Sequence, residues 1–168
     1  MNDVALTILP ETAADASAID RLNERTFGPG RYAKTAYRLR ERAAHRLDVS
    51  FTARTGTLLV GSVRLSAIRI GDTKALLLGP LTVEPPFRSR GIGLALLKRA
   101  LAHAKERGHR LVLLVGDEPY YARAGFKRVP KGQALLPGPV DPARVLVAEL
   151  DEGAFSGASG PVLPEWEA

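Results

Sequence analysis

Between Ala75 and Val115 the chain changes its hydrophobic period twice, and that switch narrows the folds open to it more than any other feature. The apolar run Ala75 to Val83 stops at Pro85-Pro86, where a strand ladder loses its donors. From Gly91 to Arg107 the apolar residues Ile92, Leu96, Leu97, Ala100, Leu101 and Ala104 recur at helical spacing. Lys98, Arg99, Lys105 and Arg107 take the remaining face, and Gly108 stands where a C-terminal glycine cap belongs. Leu111-Val112-Leu113-Leu114-Val115 follows, an unbroken apolar run of the kind a strand needs when both its faces are covered. Strand, helix, strand in this order is a βαβ unit.

The flanking segments complete an α/β (α+β) reading with one mixed central sheet. Val4 to Leu9 suits a first strand that ends at Pro10. Thr12 or Asp15 caps a helix running to about Thr26, with Ala18, Ile19 and Leu22 near one face. Gly28-Pro29-Gly30 breaks it, and a basic helical stretch is expected from about Ala33 to Arg46. Runs from Val49 to Ala53, Leu58 to Ile70 and Ala75 to Val83, joined at Thr55-Gly56 and Gly71-Asp72, read as an antiparallel meander. A short helix near Pro119 to Ala124, a strand from Phe126 and a last strand near Val145 to Leu150 finish the sheet. A chain of 168 residues supports one well-buried domain, placed here at 1–150. Residues 151–168, rich in Gly, Ser and Pro, are expected to lie loosely over its surface.

Composition removes whole classes of chemistry. The chain has no Cys, which excludes disulfides, a thiol nucleophile and Cys-ligated metal. His45, His103 and His109 have no ligand-like spacing, so no metal is expected. No basic region precedes the first apolar run and no stretch approaches a membrane span, so the expected compartment is the cytoplasm. The net charge of +6 serves solubility or draws a polyanionic ligand. Nucleic acid fits less well, because the basic residues are spread along the chain without interleaved aromatics.

The segment Leu81 to Gly93 shows where such an anion would sit. Arg88-Ser89-Arg90-Gly91-Ile92-Gly93 opens the long helix, where backbone N–H groups are unpaired and the helix dipole is positive. The glycines let an anion approach the backbone, and the arginines add charge and donors, which together make a pyrophosphate site. A Walker A loop is excluded because no Gly-Lys-Ser/Thr ends the segment. A dinucleotide loop fails as well: the third glycine position is Leu96, and about seven residues separate Val83 from Gly91.

Arg88, Gly91 and Gly93 match the Gln/Arg-x-x-Gly-x-Gly/Ala motif, so the segment resembles the acetyl-CoA loop of the GCN5-related N-acetyltransferase (GNAT) superfamily. Leu78 to Pro85, Leu114-Val115-Gly116-Asp117 and Tyr120-Tyr121-Ala122-Arg123-Ala124-Gly125-Phe126 extend the likeness over about residues 75–130, in the manner of a bacterial branch of the family. Glu118-Pro119 replaces that branch's more usual Pro-first order. The resemblance implies a sheet splayed between its two central strands. The pantetheine arm of acetyl-CoA would meet the backbone near Leu81 and Val83, and the pyrophosphate would rest on Arg88, Ser89, Arg90, Gly91, Ile92 and Gly93.

The implied reaction moves an acetyl group from acetyl-CoA directly to a primary amine, through a tetrahedral intermediate. Tyr121, four residues before Gly125, has the family's spacing for the general acid that protonates the leaving thiolate. Tyr120 reads as a packing aromatic, and Glu84 at the strand end is the candidate base. The family takes its acceptor, a small molecule or peptide amine, from regions that here correspond to Phe27 to Tyr37 and Lys131 to Pro142. Arg31, Lys34, Arg38 and Arg40 in or beside the first favour a carboxylate or phosphate on that acceptor or form a solvated helix face. Homodimers are common in the superfamily. The competing readings are a non-catalytic acyl-CoA sensor, which would tolerate loss of Tyr121, and a nucleic-acid module.

Overall fold

The computed structural model describes residues 5–27 and 45–165. Strand β1 (Leu6–Pro10) leads through a 3-10 turn into helix α1 (Ala16–Phe27). The turn is fixed by a capping box in which Thr12 and Asp15 exchange hydrogen bonds. The meander follows as β2 (Phe51–Thr55), β3 (Leu58–Ile70) and β4 (Thr73–Val83). Helix α2 (Ile92–Glu106), β5 (Leu111–Val115) and the single-turn helix α3 (Glu118–Tyr121) come next. Strands β6 (Lys127–Arg128), β7 (Ala134–Leu135), β8 (Val145–Glu149) and β9 (Gly160–Pro164) end the chain's described part. The expected helix from Ala33 lies outside the described residues except at its end. There His45 bridges to Ser66 and Leu47–Val49 forms a 3-10 turn.

The sheet runs β1-β2-β3-β4-β5-β8-β6, antiparallel except for the β4–β5 pair. Alternation along its central strands divides the core in two. Leu76 and Leu78, Val112 and Leu114, Leu146 and Ala148 face α2, whose Leu96, Leu97, Ala100 and Ala104 are fully buried against them. Leu77, Leu111, Leu113, Val145 and Val147 face the other way, where no helix of the described residues covers them.

The covering element is the C-terminal segment, which corrects the expectation of a loose tail. Phe155, Ala158 and Val162 are buried in that second core, and β9 pairs antiparallel with Ile68 to Ile70 beyond the end of β2. Gly71 makes the docking possible, since a Cβ there would collide with the Ser159 carbonyl and its φ is +59°. The physical reason is the buried apolar run of β5: both of its faces need a cover, and among the described residues α2 packs on one face while the tail packs on the other.

Candidate active site

The β4–β5 ladder consists of Leu76 opposite Val112 and Leu77 opposite Leu113. Beyond Leu77 the two strands separate. A bulge assists this, because Gly79 and Pro80 of β4 together oppose the single residue Arg64 of β3. Past the bulge β4 keeps its partner on the β3 side, with Val63 opposite Leu81 and Gly61 opposite Val83. Its other edge borders a cleft of about 430 Å³. That volume lies in the range of small-molecule and cofactor sites, roughly 300–1,000 Å³.

Leu81, Thr82 and Val83 form one wall of the cleft, and the loop and first turn of α2 form its floor through Phe87, Arg88, Ser89, Gly91, Ile92 and Gly93. Tyr120, Tyr121 and Arg123 close the far side, while Thr26 and Phe27 at the end of α1 edge the mouth. The loop bends sharply: Ser89 has φ +64° and Gly91 has φ +80°. Ser89 is the one non-glycine residue with positive φ among the described residues, a cost that sits at the site and not elsewhere. Gly91 is the N-cap of α2, so the unpaired N–H groups of the first turn open toward this floor. Arg88 and Arg123 line the cleft and no carboxylate does, among the described residues. The arrangement suits an elongated anion whose charged end meets the loop and whose polar arm meets the free edge of β4.

Each expected residue can now be placed. Leu81, Val83, Arg88, Ser89, Gly91, Ile92, Gly93 and Tyr121 all border the cleft. Arg90 does not; its guanidinium stacks 5.3 Å above the centre of the Phe87 ring. Glu84 does not either. Its Oε2 accepts a 2.7 Å hydrogen bond from Arg25, tying the end of β4 to the last turn of α1. A second tie lies one turn away, where the Thr82 hydroxyl donates to Asn23 Oδ1 at 2.6 Å in a buried setting. The acceptor segment Phe27 to Tyr37 is described only at Phe27. The other, Lys131 to Pro142, contains β7 and is pinned to the tail, with the Gln133 amide donating to the carbonyls of Phe155 and Ala158.

Two tyrosines stand edge to face at the cleft, their ring centres 5.0 Å apart. Tyr121 also meets Phe126 edge-on at 5.9 Å, and its ring occupies the space a Cβ would need at Gly116. Tyr120, expected only to pack, borders the cleft as well. Burial pushes its phenol above the ordinary value against the opposing pull of Arg123, so it keeps its proton at neutral pH. Arg123 was legible as a basic residue two positions past Tyr121, within the motif itself.

Comparison with known proteins places this geometry. The sequence model of the acetyltransferase (GNAT) family matches residues 16–126. The uncharacterized N-acetyltransferase YhbS of Escherichia coli (strain K12) is 28% identical over 157 residues, 92% of this chain and 93% of that protein. The crystal structure of Escherichia coli YhbS in complex with CoA superimposes with a TM-score of 0.82 at 24% identity, covering 98% and 92% of the two chains. A GNAT family acetyltransferase from Brucella melitensis in complex with acetyl-CoA gives a TM-score of 0.60 at 26% identity, over 91% and 99%. The loop at the start of α2, the splayed strands and the family match over 111 residues agree, and the chain belongs to the GNAT acetyltransferase family, as an acyltransferase.

Proposed function

We propose that the protein transfers the acetyl group of acetyl-CoA directly to a primary amine. The observation that carries this reading is the cleft itself: a free strand edge leads from a cationic helix N-terminus to a tyrosine pair, in an acetyltransferase fold. Solved relatives of that fold hold CoA or acetyl-CoA, which supports the same cosubstrate here.

The Arg88 to Gly93 loop holds the pyrophosphate with backbone N–H groups and the Arg88 guanidinium, while the Leu81–Val83 edge hydrogen-bonds the pantetheine arm. The thioester supplies an activated acyl carbon. The amine nitrogen attacks that carbon, the C–N bond forms, the C–S bond breaks, and the Tyr121 phenol gives its proton to the departing thiolate. Solvent then reprotonates Tyr121. Holding the reactants in line contributes about 7–11 kcal/mol of the barrier reduction, so one modest acid is sufficient.

Removal of the ammonium proton is assigned to water at the cleft mouth, because Glu84 is engaged with Arg25. Its role is then to anchor α1. A Glu84→Gln variant separates this from direct base catalysis: an anchor leaves the shape of the kcat pH profile intact, and a base loses its acidic limb.

The test of the reading is thiol release from acetyl-CoA in the presence of a panel of primary amines, including carboxylated and phosphorylated ones. Release that depends on an amine supports transfer. Acetyl-CoA binding without release for any amine supports the non-catalytic sensor in its place.

A further inference from the structure

The two tyrosines point at different parts of the cleft. The Tyr121 ring lies over Gly116 at the end of β5, whereas the Tyr120 hydroxyl lies against Gly93, where an added Cβ would collide with it. Gly93 is the second residue of α2 and carries one of the N–H groups that the helix leaves unpaired. The hydroxyl therefore lies beside the first turn of α2, and Arg123 borders the same cleft. The ring is fixed there by its edge-on contact with Tyr121. No side-chain hydrogen bond occupies the phenol among the described residues, and its proton is retained at neutral pH. A neutral, oriented, unoccupied donor at the rim of an anion site calls for an anionic oxygen.

We propose that the Tyr120 hydroxyl donates a hydrogen bond to the pyrophosphate of the acyl donor, which makes Tyr120 a ligand-binding residue and not a packing aromatic. The inference rests on the acetyl-CoA reading of the cleft. It divides the labour between adjacent residues: Tyr120 serves affinity at the phosphate end, and Tyr121 serves the chemistry at the thioester end.

The experiment is titration of CoA, and of pantetheine, which lacks the pyrophosphate, into the full-length wild-type protein and Tyr120→Phe. Phe keeps the ring and its contact with Tyr121, and thermal unfolding checks that the variant is folded. The expected result is a roughly tenfold rise in the Kd for CoA, within the range of a hydrogen bond to a charged group, and a change below about twofold for pantetheine. Equal losses for both ligands, or an unchanged Kd for CoA, overturn the assignment. A folded wild-type protein that binds neither CoA nor acetyl-CoA overturns the functional reading itself, and this inference with it.

Discussion

At the scale of single residues, three glycine and tyrosine positions carry the account. Replacing Tyr121 by Phe keeps the ring contacts with Tyr120 and Phe126 and removes the hydroxyl with the proton it carries. The expected outcome in steady-state kinetics with an accepted amine is a kcat about 100-fold lower, with the KM for acetyl-CoA nearly unchanged. Gly93→Ala should weaken CoA binding because the new Cβ meets the Tyr120 hydroxyl. In a Tyr120→Phe background that obstacle is gone, since the ring carbon bearing the hydroxyl lies 3.7 Å from the Cβ position. The Gly93→Ala penalty measured by CoA titration should therefore shrink in the double variant, a coupling that simple crowding of the phosphate by Ala would not produce.

At the scale of elements, α1 and the tail show what holds the site in shape. Asn23 and Arg25 tie α1 to Thr82 and Glu84 at the cleft end of β4, so the helix that edges the mouth moves with the strand that borders the cleft. Asn23→Ala leaves the Thr82 hydroxyl buried without its acceptor and should cost about 1–3 kcal/mol in urea unfolding. Phe155→Ala opens a cavity under β5 and β8 and should cost about 3 kcal/mol by the same measurement. The βαβ unit, the meander and the glycine loop that opens α2 were legible in the sequence because each rests on local periodicity or turn chemistry around Gly91, Gly71 and Pro85. The tail was not. Its Gly, Ser and Pro content marks turns, yet a segment such as Phe155 to Val162 needs only three inward residues to cover a sheet face, too few to make a period. Arg90 and Glu84 lie outside the cleft lining for a related reason. A charged side chain in a loop chooses among neighbours, and the Phe87 ring and Arg25 are neighbours only in space. The approach of the Tyr120 hydroxyl to Gly93 has no local signature, because Gly93 lies 27 positions earlier in the chain.

At the scale of the whole molecule, buried charge decides how the fold answers to pH. Glu11, at the end of β1, has a side chain only 1% exposed, with Arg64 donating to both of its oxygens and His45 at 2.8 Å. Burial pushes its carboxyl up, but the hydrogen bonds from His45 and Arg64 outweigh burial and hold it below the usual 4.5. Asp15 is held low in the same way by Thr12 and Arg54. A carboxyl whose folded value is depressed stabilises the fold fully above its unfolded value, and that contribution drains as the pH falls through the folded value. The midpoint of thermal unfolding should accordingly decline slightly below about pH 6.5, where burial and then Arg46 hold the His109 imidazole below its usual value, and fall steeply as the pH drops through the carboxylate range. Glu11→Gln should cost about 3 kcal/mol at pH 7, because the buried Arg64 then keeps only the exposed Asp20, at 3.7 Å, as a charged partner, and should flatten the acid slope.

The net charge of +6 and a cleft whose described lining holds no carboxylate bear on the same scale, since both favour capture of a polyanionic ligand. The central claim is that this cleft binds acetyl-CoA through the loop at the start of α2. Isothermal titration of acetyl-CoA into the wild-type protein and Arg88→Ala tests it most directly. The account predicts one equivalent bound by the wild type and affinity at least about tenfold weaker in the variant. Absence of binding to the folded wild-type protein, or equal affinity in the two, would contradict it.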